Sequence, residues 1–214
     1  MKKTIDWRLC FIADSEAAAG KDILRLAVEA AAGGATIIQL RGKTWTGREF
    51  LHIGSELASV LRPKGIPLII NDRADIAFLC RADGVHLGQV DIPLAVARKI
   101  LGKKALVGVS VCTPAEAAAA EAEGADYLGA GPIFPTLSKL DLPPLLGLAG
   151  LREIRARVRV PILAIGGVTA SNAADVMDAG ADGVAVISAI ASAADPRRAA
   201  SELIESIDKV KLGR

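Results

Sequence analysis

Eight times along its length this chain repeats one grammar: an apolar run, a polar or glycine-rich turn, an Ala-rich amphipathic stretch, and a small-residue turn into the next run. The spacing predicts strands over 8–13, 36–40, 67–70, 84–87, 105–109, 127–129, 160–164 and 183–186. Helices fit 21–32, 47–61, 73–80, 92–101, 114–123, 148–157, 170–179 and 196–210. Thr113-Pro114 with Glu116, and Asp195-Pro196, carry the N-cap and first-turn proline of helix starts, while Gly124 and Gly180 stand where helix ends favour glycine. The phrases AAGGAT, CRADG, AEGAD and DAGAD each precede a strand, a partial internal repeat of the helix-to-strand turn. Strands that are apolar without alternation are buried on both faces, as in a parallel sheet, and eight βα units close as a single (β/α)8 TIM barrel. A doubly wound open sheet is the competing architecture, but no GxGxxG follows the first strand. At 214 residues, with no linker composition, one catalytic domain over 1–214 is expected.

Composition narrows the partners. A net charge of +2 spread along the chain, with 3% aromatic residues, lacks the basic block interleaved with aromatics that nucleic acid demands. Cys10, Cys80 and Cys112 are widely spaced, without metal-type pairing, and lie in or beside apolar runs, as reduced structural cysteines do. A cytoplasmic location follows. Asp6 and Asp14 interrupt any signal-like apolar stretch after Met1, and no run reaches the length of a membrane span. The expected partners are small molecules, with no nucleic acid and no membrane; monomer and homo-oligomer both stay open.

One segment interrupts the repeat. YLGAGPIFPTLSKLD, 127–141, begins as a buried strand and becomes a long connection carrying Thr136, Ser138 and Lys139. Taken alone it reads as an ordinary surface loop. In a (β/α)8 barrel, however, the loops after the C-terminal ends of the strands form the reactive mouth, so the polar residues at every strand end count together. The second strand ends with Gln39, Arg41 and Lys43, alternate residues that share a face; the third with Asn71 and Asp72; the fourth with His86, Gln89 and Asp91. Ser110 follows the fifth, Gly166 and Gly167 the seventh, and Ser188 the eighth.

Each has a plainer reading: Arg41 and Lys43 as solvated charges, Asp72 as the N-cap of a helix beginning at Arg73, His86 as a packing or structural histidine, Gly166-Gly167 as a turn. Their convergence on one rim favours a site. Three cations (Arg41, Lys43, Lys139) beside two carboxylates (Asp72, Asp91) suit a diphosphate carrying Mg²⁺. The hydroxyl and glycine set of Thr136, Ser138, Gly167 and Ser188 suits a second, simpler phosphate.

The ordered motifs QLRGK (39–43), ND (71–72), DGVHLGQVD (83–91), GVS (108–110), GADYLGAGPIFPTLSK (124–139), AIGGV (164–168) and GADGVAVISAI (180–190) resemble the thiamine phosphate synthase family through almost the whole chain. The resemblance implies a Mg²⁺-dependent TIM-barrel transferase that joins 4-amino-2-methyl-5-(diphosphooxymethyl)pyrimidine to 4-methyl-5-(2-phosphoethyl)thiazole by a dissociative mechanism, releasing diphosphate. Carried over by motif, Gln39 contacts the pyrimidine; Arg41, Lys43, Asn71 and Lys139 contact the diphosphate; Ser110 contacts the same substrate. Asp72 and Asp91 match the metal ligands, and Thr136, Ser138, Gly167, Ile187 and Ser188 match the thiazole phosphate site. Arg41, Lys43, Ser110 and Lys139 then form the catalytic set. Ser138 stands where the family usually has threonine, Ala13 where threonine is common, Gly42 where a larger polar residue is common, and Leu137 is less polar than usual. Ala13 and Gly42 are expected to loosen the mouth. Two other readings compete: a thiazole tautomerase relative, which uses a histidine in the loop after the sixth strand where this chain reads GPIFPT, and a non-catalytic thiazole phosphate binder.

Overall fold

The chain is described by a computed structural model that covers residues 4–136 and 144–211. Eight parallel strands close in sequence order, the last pairing with the first: β1 (Leu9–Asp14), β2 (Ile37–Arg41), β3 (Leu68–Asn71), β4 (Gly84–Leu87), β5 (Leu106–Val111), β6 (Tyr127–Ala130), β7 (Ile162–Ile165) and β8 (Gly183–Val186). The helices are α1 (Ile23–Ala32), α2 (Gly47–Leu61), α3 (Ala74–Leu79), α4 (Leu94–Leu101), α5 (Pro114–Ala122), α6 (Gly147–Arg157), α7 (Ala173–Asp178), α8 (Ser188–Ala191) and α9 (Pro196–Lys211), with a 3₁₀ turn at Arg62–Lys64. This is the single (β/α)8 barrel that the alternation predicts.

Two cores result from the two faces of each strand. One lies between sheet and helices, built from residues such as Phe11, Ile38, Leu40, Ile70, Val107, Leu128 and Val184. The other fills the barrel lumen with Cys10, Ile12, Ile37, Ile69, Tyr127, Leu163, Ala185 and Ile187. The ring of Trp7 lies 5.0 Å from that of Tyr127 and closes the lumen below.

Several strands run one or two residues past their predicted ends: β1 takes in Asp14, β2 Arg41, β3 Asn71, and β5 Ser110 and Val111. Polar residues usually end a buried strand. Here the lumen widens toward its mouth and admits them while the backbone ladder continues. Helix starts move the other way. Asp22 caps α1, accepting from the N–H groups of Leu24 and Arg25, so the helix begins at Ile23. Ile92 precedes Pro93 and is thereby held out of the helical region, which delays α4 to Leu94. The four-residue α8 is too short for any periodic signal.

The repeated phrases before the strands acquire a common structural meaning. Thr36 exchanges backbone N–H and side chain with Leu9: its own N–H donates to the Leu9 carbonyl at 2.9 Å, and its Oγ1 accepts from the Leu9 N–H at 3.1 Å. Asp83 does the same to Leu68, Asp126 to Val107 and Asp182 to Ile162, with side-chain acceptance at 2.9, 2.9 and 2.8 Å. The residue before each even-numbered strand thus clasps the start of the odd-numbered strand that precedes it, at the first residue of β1, β3 and β7 and the second of β5. Arg98 bridges Asp126 at 2.7 Å and Arg155 bridges Asp182 at 2.9 Å, each guanidinium also capping nearby carbonyls.

Asp126→Ala strips the acceptor from Val107 N–H and the partner from Arg98, and is expected to destabilise the fold by about 1–3 kcal/mol in urea unfolding. Asp126→Asn, which keeps an oxygen for Val107, should recover part of the loss. Two midpoints equal to the parent protein's would refute the clasp as a source of stability.

Candidate functional site

Inward positions alternate along each strand, so the register that places Ile37 in the lumen also turns Gln39 and Arg41 inward on β2, and pairing places Asn71 beside His86. Arg41 lies against Asp14, which is 1% exposed, and its guanidinium is 3.8 Å from Glu16. The other Asp14 oxygen accepts from the N–H groups of Glu16 and Ala17 at 3.0 and 2.8 Å. This ion pair was not foreseen from the sequence, because 27 residues separate the partners.

Past the ends of β2 to β4 the charges gather. Lys43 Nζ donates to Asp72 Oδ2 at 2.5 Å. Asp72 holds φ +62°, a left-handed conformation that aspartate tolerates better than most side chains, and its N–H donates to the His86 carbonyl at 2.8 Å. It does not cap α3: Arg73 occupies the cap position and no side-chain cap bond forms there. The helix-cap reading of Asp72 therefore fails, and the residue's carboxylate is turned to Lys43. Asp91 accepts from the Gly88 N–H at 2.6 Å and lies within hydrogen-bonding reach of Asp72. Burial, and then the neighbouring Asp72 carboxylate, push the Asp91 carboxyl above its ordinary range despite the bond from Gly88 and the charge of Lys43. Two carboxylates pressed together in this way call for a proton or a cation. Among the described residues no third His, Cys, Asp or Glu completes a protein-only metal cage. The pair fits Mg²⁺, which is commonly held by one or two carboxylates, with water and ligand phosphate supplying the remaining oxygens.

Below this cluster a chamber of about 30 Å³ is lined by Gln39, Asn71, His86, Ser110 and Tyr127. Gln39 is 4% and Asn71 8% exposed, and their side chains line this chamber without a side-chain hydrogen bond among the described residues. Their amides are thus open to the space a ligand would enter. Ser110 also borders a much larger cavity of about 610 Å³ over the ends of β4 to β8, walled by Thr136, Gly167, Ile187 and Ser188 among others. Gly166 and Gly167 hold φ +97° and +64°, and a Cβ on Gly167 would come within 3 Å of Phe134 and of the Pro135 carbonyl. α8 begins at Ser188 on the same wall. Glycine turns after the seventh strand with a short extra helix after the eighth are a recurrent phosphate seat in such barrels.

All the sequence-selected residues in the described part fall on this rim: Gln39, Arg41, Lys43, Asn71, Asp72, Asp91, Ser110, Thr136, Gly167, Ile187 and Ser188. Ser138 and Lys139, with the departure at Leu137, lie outside the described residues. Gly42 does not leave the mouth loose. The Trp45 ring packs where a side chain at 42 would stand and is set edge-on against Phe50 at 5.6 Å.

Known proteins place the chain further. The thiamine monophosphate synthase family model matches residues 9–190. The thiamine-phosphate synthase of Chloroflexus aurantiacus is 48% identical over 199 residues, 93% of this chain and 92% of that protein. That of Moorella thermoacetica is 48% identical over 205 residues, 96% and 98% of the two chains. Among solved structures, the thiamine phosphate pyrophosphorylase of Pyrococcus furiosus superposes with a TM-score of 0.88 at 40% identity, covering 96% of this chain and 97% of its own. With an unbroken barrel, a carboxylate pair, a phosphate-type wall and this breadth of similarity, the chain belongs to the thiamine monophosphate synthase family.

Proposed function

We propose that this protein is a thiamine-phosphate synthase, condensing 4-amino-2-methyl-5-(diphosphooxymethyl)pyrimidine with 4-methyl-5-(2-phosphoethyl)thiazole to thiamine phosphate and diphosphate. The observation that carries the reading is that Ser110 lines both the small polar chamber and the large cavity. The chamber holds Gln39 and Asn71, the latter adjoining Asp72 with its partners Lys43 and Asp91; the cavity holds the glycine turn and Ser188.

In this reading Gln39 and Asn71 give their amides to the first substrate, Gln39 to the pyrimidine and Asn71 to the diphosphate. Ser110 binds at the junction of the two regions. Arg41, Lys43 and Lys139 neutralise the diphosphate as its bond to the pyrimidine methylene breaks. Asp72 and Asp91 would hold Mg²⁺, which when bound would supply positive charge for the leaving group. Thr136, Ser138, Gly167, Ile187 and Ser188 seat the thiazole phosphate, so that the ring nitrogen faces the methylene carbon left electron-poor by departure. The aminopyrimidine ring stabilises that carbon, and no protein base is required. Two histidines occur in the chain. His52 lies on α2, exposed beside Glu56, and both ring nitrogens of His86 have partners. Neither stands in the segment 131–136 after β6, where a tautomerase would carry its base. Three free cysteines, two of them buried, support a reducing, cytoplasmic setting.

Protein mixed with both substrates and Mg²⁺ should release diphosphate and yield thiamine phosphate by chromatography. Asp72→Asn keeps a residue suited to positive φ, so melting should change little while turnover falls on the order of 10²-fold. An unchanged rate would reject Asp72 as a metal ligand.

Asp91 gives a prediction of opposite signs. Its raised carboxyl value means that the ligand-free fold loses stability as pH rises from the ordinary carboxylate range through that value. Asp91→Asn removes this cost, so at pH 7 without Mg²⁺ it should melt no lower than the parent. Its Mg²⁺-dependent turnover should nevertheless fall on the order of 10²-fold. Mg²⁺ with diphosphate should raise the parent's melting temperature and leave that of Asp91→Asn nearly in place; equal shifts in both, with unchanged turnover, would refute the assignment.

A further inference from the structure

Tyr127 stands upright in the barrel lumen, 2% exposed, in space kept open by glycine. A Cβ on Gly108 would run into the Tyr127 ring and the His86 imidazole, and one on Gly129 would lie 2.9 Å from the His86 ring. The Tyr127 hydroxyl is 3.1 Å from His86 Nδ1, and His86 Nε2 is 2.9 Å from Ser110 Oγ. The three residues thus link the floor of the lumen to the wall that the small chamber and the large cavity share.

The direction of the link follows from hydrogen counting. The Tyr127 hydroxyl carries one hydrogen, and among the described residues Nδ1 is its sole acceptor. Burial, with smaller contributions from Cys10 and Asp126, holds the phenol far above its ordinary range, so the hydrogen stays on the oxygen. A hydrogen on Nδ1 would point at the tyrosine oxygen and leave the phenol hydrogen stranded. The imidazole hydrogen therefore sits on Nε2 and is donated to Ser110 Oγ. With one lone pair so engaged, and no other partner among the described residues, Ser110 keeps its own O–H for the cavity. The Ser110 carbonyl is fixed separately by the Gln89 side-chain amide at 2.6 Å, which anchors the backbone under that hydroxyl.

We propose that Tyr127 and His86 are positioning residues that set the Ser110 hydroxyl as a hydrogen-bond donor to an acceptor atom of the pyrimidine substrate. The assignment of that substrate rests on the proposed function; the polarity of the relay does not. Uniformly ¹⁵N-labelled full-length protein, without substrate or Mg²⁺, tests the polarity by long-range imidazole correlations, and with two histidines in the chain the buried His86 ring is readily separated from His52. The expected spectrum has His86 Nδ1 bare and Nε2 protonated; a protonated Nδ1 overturns the relay. Tyr127→Phe should give mixed tautomers and lower kcat/KM for the pyrimidine diphosphate about three- to tenfold, the loss of one oriented neutral hydrogen bond. KM for the thiazole phosphate should hold. His86→Gln, which restores an N–H near the Nε2 position, should stay within about threefold of the parent, whereas His86→Leu should fall to the level of Ser110→Ala. A Tyr127→Phe protein with shifted tautomers and unaltered kinetics overturns the proposal. Absence of turnover by the parent protein, with Nε2 protonated, supports the relay and rejects the synthase reading.

Discussion

The stagger of this barrel is held at its base, by four side chains that each bond a backbone N–H at the start of the strand before them. Thr36, Asp83, Asp126 and Asp182 take hold of Leu9, Leu68, Val107 and Ile162 through paired donor and acceptor contacts. Side chains alternate along a strand with period two, so a slip of one residue exchanges lumen for helix-facing surface over the whole strand. The clasp at Thr36 therefore governs Gln39 and Arg41 three and five residues on, and the clasp at Asp126 governs which way Tyr127 and Gly129 face. A chemistry assembled from seven strand ends demands that each strand be held in register, and the base does this without spending any residue of the mouth.

At the opposite end, polar groups replace the apolar lumen within a single turn of height. Gln39, Asn71, His86 and Ser110 share the chamber wall with Ile12, Leu163 and Ile165. Glycine at 108 and 129 makes this possible, since the space that their side chains would fill is taken by the rings of Tyr127 and His86. The apolar lumen below supplies rigidity and a low dielectric setting for the hydrogen bonds above it. The floor and the mouth are thus one column of contacts, from Trp7 through Tyr127 and His86 to Ser110.

The barrel was legible because its signal is repeated: apolar strands and Ala-rich helices alternate throughout, and a few misplaced ends do not disturb the count. Strand ends were read short at Asp14, Arg41, Asn71 and Ser110 because polarity ordinarily marks the edge of a buried strand, and only closure makes a lumen that accepts it. The repeated Asp and Thr before even strands were visible as a pattern, yet their partners lie 15 to 27 residues upstream, and nothing local names them. Site residues emerged where several strand ends had to be explained together. Asp14 did not, because it ends its strand as a lone carboxylate and only the folded register shows that it faces Arg41. Gly42 misled in the other direction: a missing side chain reads as looseness until Trp45 is seen in its place.

Arg41 and Lys43, two positions apart on one strand end, answer a diphosphate in different ways. Asp14 is buried, satisfied by two backbone N–H groups, and holds Arg41 in an ion pair whose loss of one member would leave a charge uncompensated at a cost of about 3–5 kcal/mol. That pairing is compatible with ligand contact, because a guanidinium has five donors and can keep one edge on Asp14 while presenting another to an oxygen. Lys43 is half exposed, and among the described residues its ammonium is tied to Asp72. Mg²⁺ held by Asp72 and Asp91 would compete with Lys43 for the Asp72 carboxylate and leave the ammonium free for a diphosphate oxygen. A cation fixed by a buried carboxylate and a cation that metal binding would set free thus divide the contacts to a diphosphate between them. Exchanging the two side chains would keep the net charge of the rim and lose that division.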